Sequence, residues 1–495
     1  MEMEGLGPIR VSNEDREDGQ PLSPIARLFH QPYSEDVYII IIMGFNTPIN
    51  PLVFKASLQH SLLKHPRFSS LQAVENDGQI RWVKTEVNLD NHVRVPVLDP
   101  NMESPDKFVE DYASNLSKTT INKSIPLWDV HLLNVKTSEA ESTSIIRIHH
   151  SHGDGISLMS LLLSCSRKAS DPEAPPTIPT IKRRNPCNSG GFLEFLLKLW
   201  WLVLLCWNTF VDVLLSLGTI FFLEDTKTPL KSTLPLEPTH RRFVHRTICL
   251  DDVKFVKNAM GTTINDVMVA ITQAGLSCYL NRKYGEDKKD NQGVEGNNNN
   301  LPNNIRLRAT LSVNLRPSAG IQAFDDMVRR DSKARWGNHI GFVLFPLKIA
   351  LQDDPLCHVR DAKVSGDRKK ASLEAKFSYF VAKLARFFPK YLTTKLSSCP
   401  SRITLYFSNV PGPEEEISYF GHPVTFIALS VYGLPTALII HVVSYANKMK
   451  IILSVDENII PDPHQLCDDL QNSLDLMKNA VITSTRADPK LYKYH

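Results

Sequence analysis

Ser144-Ile145-Ile146-Arg147-Ile148-His149-His150-Ser151-His152-Gly153-Asp154-Gly155 reads as a short apolar strand that ends abruptly in three histidines, an aspartate and two glycines. The run that follows, Gly155 to Leu163, reads as an apolar helix. Gly153 and Gly155 make a sharp strand-to-helix turn sterically easy, and Asp154 is suited to cap the helix. An imidazole at the end of a buried strand is held rigidly yet can face a cavity, which is the setting proton transfer requires. His150 and its neighbours are therefore the expected site.

Working outward, the preceding chain alternates strands with helices. Residues 1–20 are polar and charged and read as a mobile tail. Val37 to Met43 is a continuous β-branched run, the mark of a strand buried on both faces. Leu52, Phe54, Leu58, Leu62 and Leu63 have helical spacing, and Pro66 ends that helix. Ile80 to Val83 and Trp128 to Val135 read as strands, with a helix over Lys107 to Leu116 between them. Such alternation points to an α/β fold.

Composition sets limits on function. A chain of 495 residues with 42% hydrophobic content can build two domains. A net charge of +3 argues against nucleic acid as the main partner. The 8 cysteines are scattered without a C-x-x-C pair, which suits a reducing compartment. The acidic start Met1-Glu2-Met3-Glu4 lacks the apolar region of a secretory signal.

After a proline-rich, basic stretch over 171–191 comes the most apolar part of the chain, 192–223. Its length suits a membrane span of ~20 residues, and the basic residues before it would place its N-terminal side in the cytosol. If both halves of the chain build one site, however, a single crossing would separate them. A re-entrant or surface-lying helical pair, broken near Asn208 and Asp212, is the expectation. Trp200, Trp201 and Trp207 suit a bilayer interface, and a hairpin buried between domains is the soluble alternative.

In the second half, Thr247 to Leu250 reads as a strand and Asp251 to Ala259 as a helix. A longer helix opens at Gly261 to Val267, capped by Thr262 or Thr263, and Asn265 and Asp266 lie in its first turn. Residues 284–304 read as a mobile polar loop. Arg306 to Leu315 alternates, with Leu307, Ala309, Leu311, Val313 and Leu315 on the apolar face. Strands are expected over 338–347, 403–407, 424–429, 437–445 and 450–455, and a final helix over 464–477. Ser408 to Pro413 reads as a turn.

Two chemistries compete at the histidines. His150-x-His152-x-Asp154 resembles the H-x-H-x-D-H signature of zinc hydrolases, but Gly155 stands where the last ligand belongs, and zinc requires three or four ligands. His149-His150-x-x-x-Asp154-Gly155 resembles instead the H-H-x-x-x-D-G motif of CoA-dependent acyltransferases and of peptide-synthetase condensation domains. Pro126-Leu127-Trp128, Asn265-Asp266, Val313 to Pro317 and Ser408 to Pro413 occur in the order and spacing of one family. Over residues 21–485 the chain resembles the bifunctional wax ester synthase/diacylglycerol acyltransferases, and its apolar middle looks like their plant branch.

That resemblance implies a two-half α/β fold like chloramphenicol acetyltransferase, with a central tunnel and an apolar helical insertion. The halves are expected at 21–180 and 236–495, joined by 181–235. It implies acyl-CoA as co-substrate, no metal or other cofactor, a fatty alcohol or diacylglycerol as acceptor, and a membrane lipid surface as partner. His150 is then the general base. His149 orients it or packs, Asp154 holds the turn with Arg316 as partner, Gly155 completes the motif, and Asn265 and Asp266 line or support the tunnel. His152 is incidental. The expected location is the endoplasmic reticulum membrane, catalytic halves facing the cytosol, with the plasma membrane second.

Overall fold

A run such as Ile39 to Met43 has no polar side chain on either face and needs cover on both sides of its sheet. The computed structural model describes residues 20–30, 36–74, 79–99, 101–177, 192–231, 240–292, 299–317 and 336–487. The tail 1–19, most of the basic linker and the asparagine-rich 293–298 lie outside them. In it, strand β2 (Tyr38–Phe45) is buried at all eight positions. It sits centrally in a seven-stranded sheet, between β7 (Ser142–His149) and β14 (His422–Tyr432), with Ile41 opposite both Ile146 and Leu429. β6 (Trp128–Leu133) and β5 (Val93–Arg94) extend the sheet beyond β7, and β13 (Ile417–Tyr419) and β8 (Ser166–Lys168) extend it beyond β14.

A second, six-stranded sheet runs β11 (Ile340–Leu347), β10 (Leu307–Asn314), β12 (Leu405–Val410), β15 (Leu438–Tyr445), β16 (Lys448–Val455) and β9 (Arg242–Cys249). Each large sheet has its own apolar core. The halves are not independent, because β13 and β14 belong to the second half of the sequence but pair in the first sheet.

Eleven helices lie among the described residues, counting only α-helical ones. They are α1 (Pro24–Leu28), α2 (Pro51–His60), α3 (Pro105–Ser117), α4 (Gly155–Ser164), α5 (Phe192–Phe221), α6 (Leu250–Ala259), α7 (Ile264–Gln292), α8 (Leu356–Lys370), α9 (Glu374–Leu384), α10 (Lys390–Ser398) and α11 (Pro463–Ala487). Helix α2 ends three residues earlier than its apolar spacing predicts, giving way to 3₁₀ turns over Leu62–Lys64 and Pro66–Ser69. The expected loop at 284–304 begins instead as helix, since α7 continues to Gln292.

The apolar segment also differs from expectation. It forms one continuous helix with no break at Asn208 or Asp212. Those polar side chains do not compete with the helix backbone, because each has a partner outside it. Asn208 donates to the Ala371 carbonyl at 3.1 Å, and Asp212, fully buried, accepts from Lys369 Nζ at 2.9 Å and from Arg368 at 2.8 Å. Lys369 also pairs with Glu374 at 2.7 Å.

The alternation in β10 holds only in part. Val313, on the predicted apolar face, is exposed, whereas Arg308, on the predicted polar face, is buried. The reason is Asp225, just beyond α5. It accepts from the Arg308 backbone N–H at 2.8 Å and side-chain Nε at 2.5 Å, and from the Thr404 N–H and hydroxyl at 2.9 and 2.7 Å. One carboxylate thus fastens the insertion to β10 and to the residue preceding β12. Removing one partner of a buried ion pair strands the other charge. Asp225→Ala is accordingly expected to cost roughly 3–5 kcal/mol, read as a lower urea midpoint with an unchanged m-value.

Candidate active site

Strand β7 delivers His149 as its last residue, paired with Tyr38 of β2. The next residue, His150, is clamped through its peptide. Its N–H donates to the Val37 carbonyl at 2.8 Å, and its carbonyl accepts from Asn338 Nδ2 at 2.9 Å. The imidazole packs against the Phe29 ring with centroids 4.4 Å apart. It lines an apolar cavity whose empty space, open solvent at its mouth included, is about 1340 Å³. Phe29 and Val431 form the wall on the side of the first sheet, Thr310, Leu405 and Tyr406 on the side of the second, and Ile220 of α5 closes part of it.

Burial pushes the His150 imidazole below its ordinary ~6.5, opposed in part by the Asp154 carboxylate. The side chain is therefore neutral at cytosolic pH. Its Nδ1 is buried without a hydrogen-bond partner among the described residues.

The other histidines go elsewhere. His149 Nδ1 lies 2.7 Å from the Ser151 hydroxyl, and its ring stands edge-on to Tyr38. These contacts hold its ring in the packing beside the turn. His152 is buried between Phe68 and Trp82, with Nδ1 3.1 Å from the His149 carbonyl. Burial and nearby Arg67 push its pKa to about 3. Asp154 turns away from His150 towards Arg316. The spacing that suggested zinc therefore places its three side chains in three separate environments, with no shared centre to bind a metal.

Asp154 carries the turn. Its Oδ1 accepts from the Ser157 N–H at 2.9 Å, capping α4, and its Oδ2 accepts from Arg316 Nη1 at 2.8 Å and from the His339 N–H at 2.9 Å. Arg316 also donates to the Ser157 hydroxyl and to the Gly337 carbonyl. Gly155 is needed for a close approach, since a Cβ there would lie 2.9 Å from Val410 Cγ2. Val410, the last residue of β12, thus rests on the start of α4, and the expected turn at Ser408 to Pro413 begins only after it, because Ser408 to Val410 pair with β15.

Asn265 meets the same strand end, accepting from Asn409 Nδ2 at 2.6 Å. Asp266 accepts from the Thr262 and Thr263 hydroxyls at 2.8 and 2.7 Å, and Thr263 caps the helix in return. Neither Asn265 nor Asp266 lines the cavity that His150 faces. Trp128 is core, donating from Nε1 to the Phe68 carbonyl at 2.9 Å.

Sequence reading missed Asn338, Phe29 and His441. Only the fold brings Asn338 to His150, across a separation of 188 residues. His441 is buried on β15, and burial together with neighbouring His150 pushes it to about 3. No local pattern marks any of the three. Asp154→Ala should lose roughly 3–5 kcal/mol of stability by stranding Arg316. Asp154→Asn, which keeps an acceptor for the cap, should lose less, and paired denaturant titrations check the order.

Comparison with known proteins agrees with this architecture. Residues 52–268 match the wax ester synthase/diacylglycerol acyltransferase catalytic domain, and residues 336–478 match the WS/DGAT C-terminal domain. The chain is similar to wax ester synthase/diacylglycerol acyltransferase 11 of Arabidopsis thaliana, at 47% identity over 96% of this chain and 98% of that one. A second relative from the same plant, wax ester synthase/diacylglycerol acyltransferase 7, is 46% identical over 93% of this chain and 98% of its own.

Among solved structures, the wax ester synthase/diacylglycerol acyltransferase from Marinobacter aquaeolei VT8 superposes with a TM-score of 0.60 at 20% identity, over 93% of this chain and 99% of that one. The first condensation domain of the calcium-dependent antibiotic synthetase superposes at 0.57 and 11% identity, over 96% of this chain and 98% of its own. These structures share the fold. With the family's two domains matched in order and relatives similar along nearly their whole length, the chain belongs to the wax ester synthase/diacylglycerol acyltransferase family.

Proposed function

We propose that this protein is an acyl-CoA-dependent O-acyltransferase that joins a long-chain acyl group to a long-chain fatty alcohol, forming a wax ester, and to diacylglycerol, forming triacylglycerol. The observation that carries this reading is a neutral, buried His150 on the wall of an apolar cavity lined from both halves. A cavity walled by aliphatic and aromatic side chains suits alkyl chains, and a neutral imidazole is the base an alcohol requires.

With Nδ1 buried, the proton transfer falls to Nε2. As the acceptor hydroxyl oxygen attacks the thioester carbonyl carbon, Nε2 takes the hydroxyl proton. The tetrahedral intermediate then expels the CoA sulfur, and the imidazolium returns the proton to that thiolate. No acyl-enzyme is needed, so both substrates occupy the cavity together. Asp154 acts through the turn, Gly155 through its contact with Val410, and His149 through packing. Asn265 and Asp266 support the end of β12 and the start of α7. The halves 21–180 and 236–495 work as one enzyme because each contributes cavity wall.

The long apolar helix supports a lipid surface as the working environment, and the cytosolic face of the endoplasmic reticulum is the proposed location, with the plasma membrane second.

His150→Ala should lower ester formation from palmitoyl-CoA and hexadecanol by roughly 10²–10⁴-fold without loss of folded protein. Comparable activity in the variant would remove His150 from the mechanism. Because burial lowers the His150 pKa, the midpoint of its protonation lies below that of a solvated imidazole. The profile of kcat/KM should therefore carry an acid limb centred below the ~6.5 of a solvated imidazole. An acid limb centred above pH 6.5 would contradict the assignment.

A further inference from the structure

Helix α5 passes every simple test for a membrane span. Its apolar stretch covers 28 residues, with a mean hydropathy of 1.7 in its most apolar window. At ~1.5 Å per residue it exceeds the ~30 Å of a bilayer's hydrocarbon core. Yet the chain on both sides of it is fastened to one body. Before it, β8 pairs with β13, and Lys168 bridges to Glu415 at 3.2 Å. After it, Asp225 grips Arg308 and Thr404. A single crossing would put these attachments on opposite sides of a membrane.

The helix has two different ends. Its later turns are held by Asp212, by Ser216, whose hydroxyl donates to Glu374, and by Thr209, which accepts from the Leu373 N–H at 3.0 Å. Its earlier turns stand clear of the body, with Phe195, Leu199, Trp200, Trp201 and Val203 all exposed. Exposed apolar surface continues onto the neighbouring elements through Phe380 of α9, Phe387 of the 3₁₀ turn after it, and Tyr391 of α10. A continuous apolar surface of this kind marks a site of interaction.

Two further observations identify the occupant and its purpose. From Ala375 to Pro413 the chain carries Lys376, Lys383, Arg386, Lys390, Lys395 and Arg402 and no acidic residue. Basic groups beside an apolar face complement anionic lipid headgroups. In addition, α5, α9 and α10 line the cavity with their other faces, through Ser216 and Ile220, Phe377 and Val381, and Leu396 respectively. The wall between His150's cavity and the exposed apolar surface is thus one helix thick.

We propose that α5, α9 and α10 form a docking face for one leaflet of an anionic phospholipid bilayer, and that the long-chain acceptor alcohol passes from that leaflet to His150 between these helices. The proposal rests on the acyltransferase reading above. It makes the protein monotopic, with α5 lying in the interface, and it separates the lipid route from the entry of water-soluble acyl-CoA.

The test uses the full chain with vesicles of phosphatidylcholine alone or with phosphatidylserine. One variant combines Trp200→Ser with Trp201→Ser, and a second combines Lys383→Glu, Lys390→Glu and Lys395→Glu. Binding to the anionic vesicles should weaken at least tenfold in both variants, and turnover of vesicle-borne hexadecanol should fall about as much. Turnover of water-soluble hexanol without vesicles should be unchanged. A photoreactive diazirine hexadecanol in the vesicles should label peptides of α5, α9 and α10. Unchanged binding, or equal loss with hexanol, would overturn the docking face, and labelling confined to other helices would overturn the route. No ester from the wild type with either alcohol would count instead against the acyltransferase reading.

Discussion

The ion pair between Asp154 and Arg316 is the interaction on which the site depends, since it joins the two halves at the point where the base is held. Asp154 ends the turn after β7, and Arg316 follows β10 of the other sheet. Both side chains are almost wholly buried, so neither charge has water to fall back on. Desolvation of such a pair is costly and is offset only when further hydrogen bonds satisfy both groups. Here they do, through Ser157, Gly337 and His339. The carboxylate is occupied by this network, and in the proposed mechanism it takes no direct part in proton transfer.

Around that pair the contacts leave little freedom. Gly155 lets Val410 approach α4, and Gly412 lets the same turn pass the Ser444 carbonyl, which a Cβ would approach to 2.1 Å. Asn409 reaches across to Asn265. The spacing between distant motifs therefore corresponds to a physical junction. The histidine turn, the start of α7 and the exit of β12 converge beside one buried salt bridge.

Much of this was legible in the chain itself. The β-branched run ending in histidines and glycines is a strand, a turn and a capped helix, because each of those preferences acts locally. Most strands of the second sheet follow for the same reason. What local pattern could not show depended on distant partners. Arg308 occupies a polar face in the sequence and a buried one in the structure, since Asp225 waits for it there. Asp212 reads as a break in an apolar helix, but Lys369 and Arg368 absorb its charge and the helix runs on. Asn338 has no signal of its own. It matters only because the fold places it against the His150 carbonyl.

The pKa of His150 follows from the same architecture. A fully solvated imidazole would be partly protonated near neutrality, and one beside an unpaired carboxylate would be more so. Burial opposes protonation, and pairing Asp154 with Arg316 limits how far its charge favours the imidazolium. The apolar wall that admits an alkyl chain thereby also keeps the base deprotonated. Substrate preference and basicity are coupled in this site: a substitution that opens the cavity to water to admit a more polar acceptor would also raise the His150 pKa towards its solvated value. Widening the site with apolar side chains would change the acceptor while leaving the base as it is.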